Sequence, residues 1–506
     1  MRRFLLGSIV VAVLAPGLAH AAPAPNSAMS PTIFDVETHF DANELDCPVA
    51  NDGTLARDPN GVSGLVWPQG SGQRWIHGTG LWLVGFFPGV NARQRSAMAD
   101  FGGEYTPGPV NAQFTGSDTF FSKPQYRVYK ITRDDLAQPG KDWLEWPANQ
   151  GAPVDSSGHP RLIGDQTLYT TFNDAWRPYH SLIDGRQFPL VAEVHQTVFG
   201  TGRAVPLTRV LFVHYEITAR QFEWPEFYAA FWVDPDLGYA YDDYAATDSA
   251  GAAVIAYDSE PAPGEAPSPA VGVCVLADSL RGGPAWRVST ASAWLMENDP
   301  TSYQQALSLV RGRQANGDPW VCGDTSTTHF PFSGDPVTGE GCLDPRSGDK
   351  RMLITIGPYD VLRNQTIDFA LAIVVGDKTG ATSVKENLSA LREGFAAARD
   401  AWRDSLSKLP PAPAQVSLAP IYPNPSRGAT TYALSLPTGV TAGEVQVFDL
   451  RGRLVWREMP RAWHGGDYHL EWSGQALAGR PAPAGVYWLR VVTNLGTLTQ
   501  KVVRLP

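Results

Sequence analysis

The sequence predicts a mainly β protein with two parts. The first is a large β-sandwich-like, jelly-roll-type region that ends in one long helix, and the second is a small immunoglobulin-like β-sandwich. With 506 residues, the chain exceeds what one hydrophobic core usually holds. Its 49 glycines and 42 prolines, together with 16 tryptophans, 17 tyrosines and 21 phenylalanines, are typical of many turns that join short aromatic-rich strands.

The amino terminus has the features of an export signal. Residues 1–21 combine two arginines, an apolar run and the small residues Ala19 and Ala21, which predicts a signal peptide cleaved after Ala21. Residues 22–33 are rich in proline and alanine and are expected to form a disordered lead-in. No later stretch is long and apolar enough for a transmembrane helix. We therefore expect an exported chain with no transmembrane segment after cleavage.

The overall charge argues against two kinds of partner. With 40 Lys and Arg against 51 Asp and Glu, the formal net charge is −11. The sequence has no basic stripe that could neutralise the phosphates of nucleic acid or of an anionic membrane. Neither nucleic acid nor a membrane surface is therefore an expected partner.

Residues 34–408 are predicted to form a β-rich exported domain, and its division into two subdomains stays open. Alternation of apolar and polar residues predicts strands at 126–131 and 167–172, and the nearly all-apolar segment 367–375 predicts a central strand. Two helices are expected late in this region. One covers 300–313, with Asp299 as its N-cap and Pro300 at its first position, and the other covers about 383–407. The proline-rich segment 409–415 then predicts a stiff linker.

Three consecutive strand candidates, at 191–199, 209–218 and 226–234, carry polar and aromatic side chains at alternate positions. If these strands are adjacent, one sheet surface combines histidine, glutamate, tyrosine and tryptophan. Carbohydrate-binding sandwiches use such surfaces, and some carry a catalytic carboxylate pair. The alternative is an ordinary solvated outer face. The candidate ligand-binding residues are His195, His214, Tyr228 and Trp232, and the candidate catalytic residues are Glu193 and Glu216.

The loop after the third of these strands is rich in aspartate, and Gly238 permits a turn within it. Carboxylate oxygens are the ligands that calcium prefers, and carboxylates this dense repel one another without a cation. The spacing does not fit an EF-hand. The sequence therefore predicts a structural calcium site, with aspartates that merely cap turns as the alternative. The candidate metal ligands are Asp234, Asp236, Asp242, Asp243 and Asp248.

Four cysteines allow disulfides in an exported chain. Cys322 and Cys342 enclose a loop with few apolar residues, so we expect a disulfide that holds this loop. A zinc site that includes His329 is the rival interpretation, although no Cys-x-x-Cys pair is present. Cys47 and Cys274 are either paired or simply buried.

Residues 416–506 contain short alternating runs separated by turn signals, which is typical of a small immunoglobulin-like sandwich. The segment 449–452 (DLRG) predicts a tight hairpin turn. Five ordered elements, IYPNPSRG, VFDLRGRLV, WSG, PAGVYWLRV and a terminal KVVRL, resemble the carboxyl-terminal sorting domains of type IX secretion substrates. They equally resemble the immunoglobulin-like domain of the flagellar hook-capping protein. The first resemblance implies recognition by outer-membrane secretion machinery and a secreted or outer-surface location in a Gram-negative-type bacterium, and a plain structural module is the alternative.

The middle region resembles a group of exported bacterial proteins without an assigned activity. The matching segments are YRVYKI at 126–131, GDQT at 164–167, PLVAEV at 189–194 and DPDLGYAYDD at 234–243. This resemblance implies export and supplies no chemistry.

Two classes of function follow from the sequence. The favoured one is a secreted or surface-displayed structural or binding protein that contacts glycans or other surface proteins. The alternative is a secreted hydrolase that acts on polysaccharide through Glu193 and Glu216. Neither a Gly-x-Ser-x-Gly nucleophile elbow nor a His-Glu-x-x-His zinc motif occurs, so serine esterase and zinc protease interpretations lack support.

Overall fold

The structure is a computed structural model of the chain. It describes residues 38–506 except for 58–63, 88–93, 101–102, 112, 115–122, 156, 181–186, 204, 263, 281–287, 324–325, 405–416, 419–420, 422, 437–441, 459–465, 478 and 494–495. The predicted signal peptide (1–21), lead-in (22–33) and linker (409–415) lie outside the described residues.

Strands dominate the described residues, which confirms the prediction of a mainly β protein. The strands of the first part are β1 (His39–Phe40), β2 (Cys47–Pro48), β3 (Thr54–Leu55), β4 (Leu65–Val66), β5 (Arg74–Gly85), β6 (Arg95–Met98), β7 (Thr106–Pro107), β8 (Tyr129–Thr132), β9 (Gln166–Asn173), β10 (Ala192–Gly200), β11 (Val210–Ala219), β12 (Trp224–Pro235), β13 (Tyr244–Asp248), β14 (Ala253–Tyr257), β15 (Ala270–Leu280), β16 (Val288–Leu295), β17 (Trp320–Cys322), β18 (Ser326–Thr328), β19 (Lys350–Val361) and β20 (Thr366–Gly376). Those of the carboxyl-terminal part are β21 (Ser417–Leu418), β22 (Thr430–Leu436), β23 (Ala442–Asp449), β24 (Leu454–Arg457), β25 (Gly466–Trp472), β26 (Gly485–Thr493) and β27 (Gly496–Arg504).

The helices are few and short, with one exception. The α-helices are α1 (Lys141–Leu144), α2 (Tyr303–Val310) and α3 (Val384–Asp404), and the 3-10 helices are Pro124–Tyr126, Arg133–Leu136, Ala148–Gln150, Arg177–Tyr179, Leu207–Arg209 and Met296–Asn298. The long predicted helix is α3. No helix among the described residues is long and apolar enough to cross a membrane.

Two antiparallel sheets stack face to face in the first part. The nine-stranded sheet has the order β13-β14-β15-β20-β11-β10-β9-β7, with β8 also paired to β9, and the seven-stranded sheet has the order β16-β19-β12-β5-β3, with β4 and β6 also paired to β5. Between them lies one large apolar core. Alternation along each strand supplies this core: Val213 and Tyr215 of β11 face Phe231 of β12, with the Tyr215 and Phe231 ring centroids 6.4 Å apart.

Each sheet is covered by a helix on its outer face. Helix α3 packs Leu391 and Phe395 against Val374 and its neighbours on the nine-stranded sheet. Close approach is possible because β20 ends in Gly376: a Cβ there would lie 2.4 Å from the Leu391 Cβ atom. Helix α2 packs on the seven-stranded sheet, where Trp82, Tyr228 and Trp232 point outward.

The start of α2 differs from the prediction. The helix begins at Tyr303, and the Ser302 side chain accepts a hydrogen bond from the Gln305 backbone N–H, so Ser302 is the N-cap. Asp299, the predicted cap, instead accepts a hydrogen bond of 2.8 Å from Trp294 Nε1. Ser302 rather than Asp299 is the N-cap because it directly precedes Tyr303, the first residue with helical periodicity.

The carboxyl-terminal strands form two small sheets with a core of their own. The orders are β21-β22-β25 and β24-β23-β26-β27. Tyr432, Val447, Trp472 and Leu489 lie in the core between them. The predicted turn at 449–452 joins β23 to β24, and Gly452 adopts the positive φ of 73° that such a turn requires.

The packing of α3 can be tested by truncating one side chain. Leu391 is fully buried against the nine-stranded sheet, so Leu391→Ala should lower the free energy of unfolding by about 2–5 kcal/mol through lost burial and the cavity left behind. Leu144→Ala is the matched control, because Leu144 is 75% exposed and should change stability by less than about 0.5 kcal/mol. Urea unfolding followed by tryptophan fluorescence measures both, and equal stability of the two variants would contradict this packing.

Candidate functional site

The outer face of the nine-stranded sheet carries a cluster of polar side chains beside α3, whose Trp402 ring lies 5.7 Å from the His214 ring. His195 of β10 pairs with Glu216 of β11, which in turn pairs with Asp368 of β20. Directly paired residues point to the same face of a sheet, so these side chains share a surface with Glu193 and His214. The structure thus brings together four of the predicted residues, and sequence reasoning missed the fifth, Asp368.

An imidazole ring lies between the two candidate catalytic carboxylates. His195 Nε2 is 3.4 Å from Glu193 Oε1, and His195 Nδ1 is 3.7 Å from Glu216 Oε2. The Gly151 backbone packs on this ring so closely that a Cβ at Gly151 would lie 2.3 Å from His195 Cε1. A glycosidase needs the space between its carboxylates for the scissile bond and water. Here the ring fills that space, so the arrangement is that of a structural ion network.

The pKa of Glu193 is shifted in the direction opposite to that of a general acid. Burial raises the pKa of Glu193, but the hydrogen bond with His195, the charge of Arg220 and the Val110 backbone N–H outweigh it and leave the pKa below its usual value. The Val110 N–H donates to Glu193 Oε2 over 2.7 Å. General acids in glycosidases have raised pKa values instead.

Tyr228 and Trp232 do not join this surface, which corrects the prediction that the three strands are adjacent. Strand β12 pairs with β5 and β19 in the opposite sheet, so both side chains lie on the other outer face of the sandwich. They are 5% and 2% exposed beneath α2. Burial raises the pKa of Tyr228 to about 12. These two aromatic residues are core residues that cannot reach a ligand.

Two of the five predicted metal ligands are engaged in ion pairs. Asp234, at the end of β12, lies 2.6 Å from Arg351 Nη1. Burial raises the pKa of Asp234 to about 8, with Arg351 opposing the shift and Asp349 adding to it. Asp236 lies 3.3 Å from His77 Nε2, and burial raises its pKa as well.

The remaining aspartates separate into two places. Asp248 ends β13 and accepts a hydrogen bond of 2.8 Å from the Gly251 backbone N–H, so it caps a turn. Asp242 and Asp243 instead meet Asp258, a residue outside the predicted set, and one carboxylate oxygen from each lies within 4.8 Å of the others. The five predicted ligands therefore do not converge on one point, but two of them form a cluster with a third carboxylate.

Cys322 and Cys342 form a disulfide in the structure, whereas Cys47 and Cys274 are free and buried. The bridge connects β17 to the segment that precedes β19. Trp320 begins β17, two residues before the bridged Cys322, so the disulfide also fixes the position of this side chain.

Trp320 lines a cavity that the sequence analysis did not identify. The cavity has a volume of about 210 Å³. Its aromatic wall consists of Trp294, Trp320 and Phe332, and the Trp320 and Phe332 rings meet edge to face with centroids 6.0 Å apart. The other lining residues are Ala293, Leu295, Asn298, Gln314, Ala315, Asn316, Asp344, Pro345, Arg346 and Lys350. We call it the aromatic pocket. The local sequence signal for this pocket is limited to Trp320, two residues before Cys322.

Two features mark the aromatic pocket as more than a packing gap. Trp320 Nε1 is buried, and no acceptor within the described part of the chain lies within hydrogen-bond distance of it. Phe332 has a φ of +59°, a left-handed conformation that is unfavourable for a bulky residue. Strained backbone of this kind clusters at active sites, ligand clamps and switch regions, although six other non-glycine residues of the described chain also have a positive φ.

The charged groups of the aromatic pocket are already paired. Lys350 Nζ lies 2.7 Å from Asp344 Oδ2, with both side chains almost fully buried. Arg346 Nη2 lies 3.0 Å from Glu297 Oε1 at the exposed rim. The pocket therefore offers aromatic faces and amides without an uncompensated charge.

Comparison with known proteins identifies the carboxyl-terminal part. Residues 420–504 match the family described as secretion system C-terminal sorting domain. The match confirms the predicted sorting domain and the secreted or outer-surface location. It also implies interaction with the secretion machinery. No curated protein matches the chain in sequence.

Similar solved structures are remote. A protein assigned as an aldose 1-epimerase from Escherichia coli K12 is 9% identical, with a TM-score of 0.26, covering 68% of this chain and 98% of its own. A family GH92 inverting mannosidase from Bacteroides thetaiotaomicron is 9% identical, with a TM-score of 0.20, covering 55% and 25%. Dimeric latent PorU from Porphyromonas gingivalis is 11% identical, with a TM-score of 0.16, covering 67% and 31%. The chain spans about a quarter to a third of the last two proteins, and likenesses this weak carry no inference about its function.

The ion network around His195 can be tested through its pH dependence. Because the pKa of Glu193 is lower in the folded chain, ionised Glu193 stabilises the fold above its unfolded pKa of about 4.3, and this contribution is lost as the pH falls through the folded pKa. The wild-type chain should be about 1 kcal/mol more stable than Glu193→Gln at pH 7, and the difference should shrink toward pH 3. Urea unfolding at several pH values measures it, with exposed Glu265→Gln as the control. A difference that grows on acidification would contradict the network.

Proposed function

We propose that this chain is an outer-surface binding protein that holds a neutral sugar unit in the aromatic pocket. The observation that carries the proposal is Trp320, whose buried Nε1–H lacks an acceptor in the described part of the chain. Leaving such a donor unsatisfied costs about 1–3 kcal/mol. Because Nε1 is closed to water in this structure, the pocket has to widen on binding before a ligand hydroxyl can accept this hydrogen bond.

The lining of the aromatic pocket supports a sugar over other ligands. Aromatic planes stack on the apolar faces of a sugar ring, and the Asn298 amide can bind its hydroxyls. The amides of Gln314 and Asn316 already donate to the Pro319 carbonyl and to Asp318, so they offer only their remaining hydrogen-bonding capacity. A volume of about 210 Å³ is below the usual range for drug-sized ligands, which suits a single ring.

The paired charges support a neutral ligand. A charged ligand would require a free counter-charge, yet Lys350 is already balanced by Asp344. Taking either partner away from the other would leave a buried charge uncompensated, so the pair resists rearrangement around an ionic group. Neutral hexoses or the neutral ends of glycan chains fit these requirements.

The role of the carboxyl-terminal module in this proposal is placement. Its seven strands in sheets of three and four match the strand number of an immunoglobulin-like sandwich, which supports that finer description. Its strands bury their apolar residues in a separate core, so the module can be recognised independently of the pocket. Export and ligand binding would then be separable functions of one chain.

Ligand binding can be tested with a matched pair of tryptophan variants. A glycan array should identify a ligand for the mature chain, and calorimetry should then show about 30-fold weaker binding by Trp320→Ala, which corresponds to about 2 kcal/mol. Trp488→Ala is the control, since Trp488 is 41% exposed on the sorting domain. The proposal fails if Trp320→Ala binds the array ligand as tightly as Trp488→Ala does, or if the folded mature chain binds no glycan.

Placement can be tested by truncation. Removing residues 416–506 should leave the remainder of the chain in the periplasm, because the machinery at the outer membrane then has no domain to recognise. Cell fractionation and surface labelling report the location, and the unmodified full-length chain serves as the displayed control. Normal surface display of a protease-resistant truncated chain would leave the module with a structural role alone.

A further inference from the structure

We propose that Asp242, Asp243 and Asp258 form a calcium site that fastens the β12–β13 loop to the end of β14. This site is independent of the aromatic pocket and replaces the predicted set of five aspartates with a set of three. One carboxylate oxygen from each residue lies within 4.8 Å of the other two. Two oxygens bound to one calcium ion at 2.3–2.6 Å are at most about 5 Å apart, so the spacing fits a shared ion.

Strand register explains why these three residues meet. Tyr244, the first residue of β13, pairs with Tyr257, the last residue of β14, and their rings stack with centroids 5.8 Å apart. The residue before Tyr244 and the residue after Tyr257 therefore emerge side by side from the same end of the hairpin. These residues are Asp243 and Asp258, and Asp242 directly precedes Asp243 in the chain.

The second observation is a buried oxygen without a donor. Asp243 is fully buried; its Oδ2 accepts a hydrogen bond of 3.2 Å from the Leu237 backbone N–H, but its Oδ1 has no partner within the described residues. The Oδ1 atom of Asp242 is buried without a partner as well. Burying a carboxylate oxygen that has no hydrogen-bond partner costs free energy of folding unless a proton or a cation binds it.

The surroundings contain further oxygen and little compensating charge. Asp258 is oriented by two serines: the Ser268 hydroxyl donates to its Oδ2 over 2.7 Å, and the Ser259 backbone N–H donates to its Oδ1 over 2.6 Å. None of the three carboxylates makes a salt bridge in the part of the chain that the structure describes. Burial raises the pKa of Asp243 to about 9, the Leu237 N–H opposes this shift, and the negative charges of Asp258, Asp236 and Asp242 add to it.

Calcium is the cation that these donors select. Hard carboxylate oxygens without sulfur or imidazole favour calcium or magnesium over zinc. Calcium tolerates irregular geometry and completes its shell with water and backbone oxygens, whereas magnesium demands a near-ideal octahedron. Extracellular calcium sites commonly have dissociation constants of about 10⁻⁴–10⁻³ M, which suits a protein of the outer surface.

Calcium titrations of the full mature chain test the site. Calorimetry with calcium chloride should detect one bound ion per chain, and calcium in large excess over the dissociation constant should raise the melting temperature by about 3–6 °C relative to chelator. Magnesium at the same concentration should give a smaller shift. Asp243→Asn and Asp258→Asn should each abolish the calcium-dependent shift while the chelated proteins still melt cooperatively.

Asp248→Asn is the matched control, because Asp248 lies in the same chain segment but outside the cluster and should keep the full shift. If the three carboxylates merely share a proton, calcium will not change the melting curve of the unmodified chain, and the proposal is overturned. It is also overturned if Asp243→Asn and Asp258→Asn keep the calcium shift that Asp248→Asn shows.

Discussion

The buried ion pairs at the start of β19 are the constraint on which the sites of this protein depend. Lys350 pairs with Asp344 and Arg351 pairs with Asp234, and all four side chains are almost completely buried. Breaking the Lys350–Asp344 pair by removing one partner leaves an uncompensated buried charge and destabilises by about 3–5 kcal/mol, whereas Arg351 also contacts Asp299 and Asp349. The Arg351–Asp234 pair joins segments 117 residues apart in sequence, whereas the Lys350–Asp344 pair holds the segment directly before β19. The end of β12 and the segment before β19 therefore have a defined position relative to β19.

One segment connects the aromatic pocket with the acidic cluster. Asp344 lines the pocket and also accepts a hydrogen bond of 2.9 Å from the Ala245 backbone N–H, while the Gly348 N–H donates to the Asp243 carbonyl over 3.0 Å. The Phe332 carbonyl accepts from the Thr247 N–H in the same way. Strand β13 thus contacts the segments that line the aromatic pocket, and Asp243, the residue directly before β13, belongs to the acidic cluster. A ligand that orders either the aromatic pocket or the acidic cluster therefore also restricts the motion of β13.

The positions of the strands along the chain could be predicted from the sequence better than the pairing of those strands in the sheets. Period-two alternation located β10 and β11 to within one or two residues, and it placed Glu193 and His195 on one face, as observed. The nearly all-apolar run of β20 located that strand equally well. Alternation could not show that β12 crosses to the opposite sheet, because it describes which face is apolar and not which strand lies beside it. Asp258 became a neighbour of Asp243 only through hairpin register. The aromatic pocket draws on side chains from four separate segments, so no local pattern marks it.

The segment between β17 and β19 has little apolar packing and is held by a disulfide, a type of bond that persists outside the cytosol. The part between these two strands lines much of the aromatic pocket, and of its described residues only Phe330 and Phe332 pack, partly buried, against the main apolar core. Its order instead rests on the Cys322–Cys342 disulfide and on ion pairs, with the proposed calcium ion holding the adjoining loop. Disulfides persist outside the cytosol, and calcium sites of modest affinity fill there. If the proposed calcium ion and the disulfide both act in this way, the pocket wall becomes rigid only after export, which would couple the proposed binding function to the location that the sorting domain specifies.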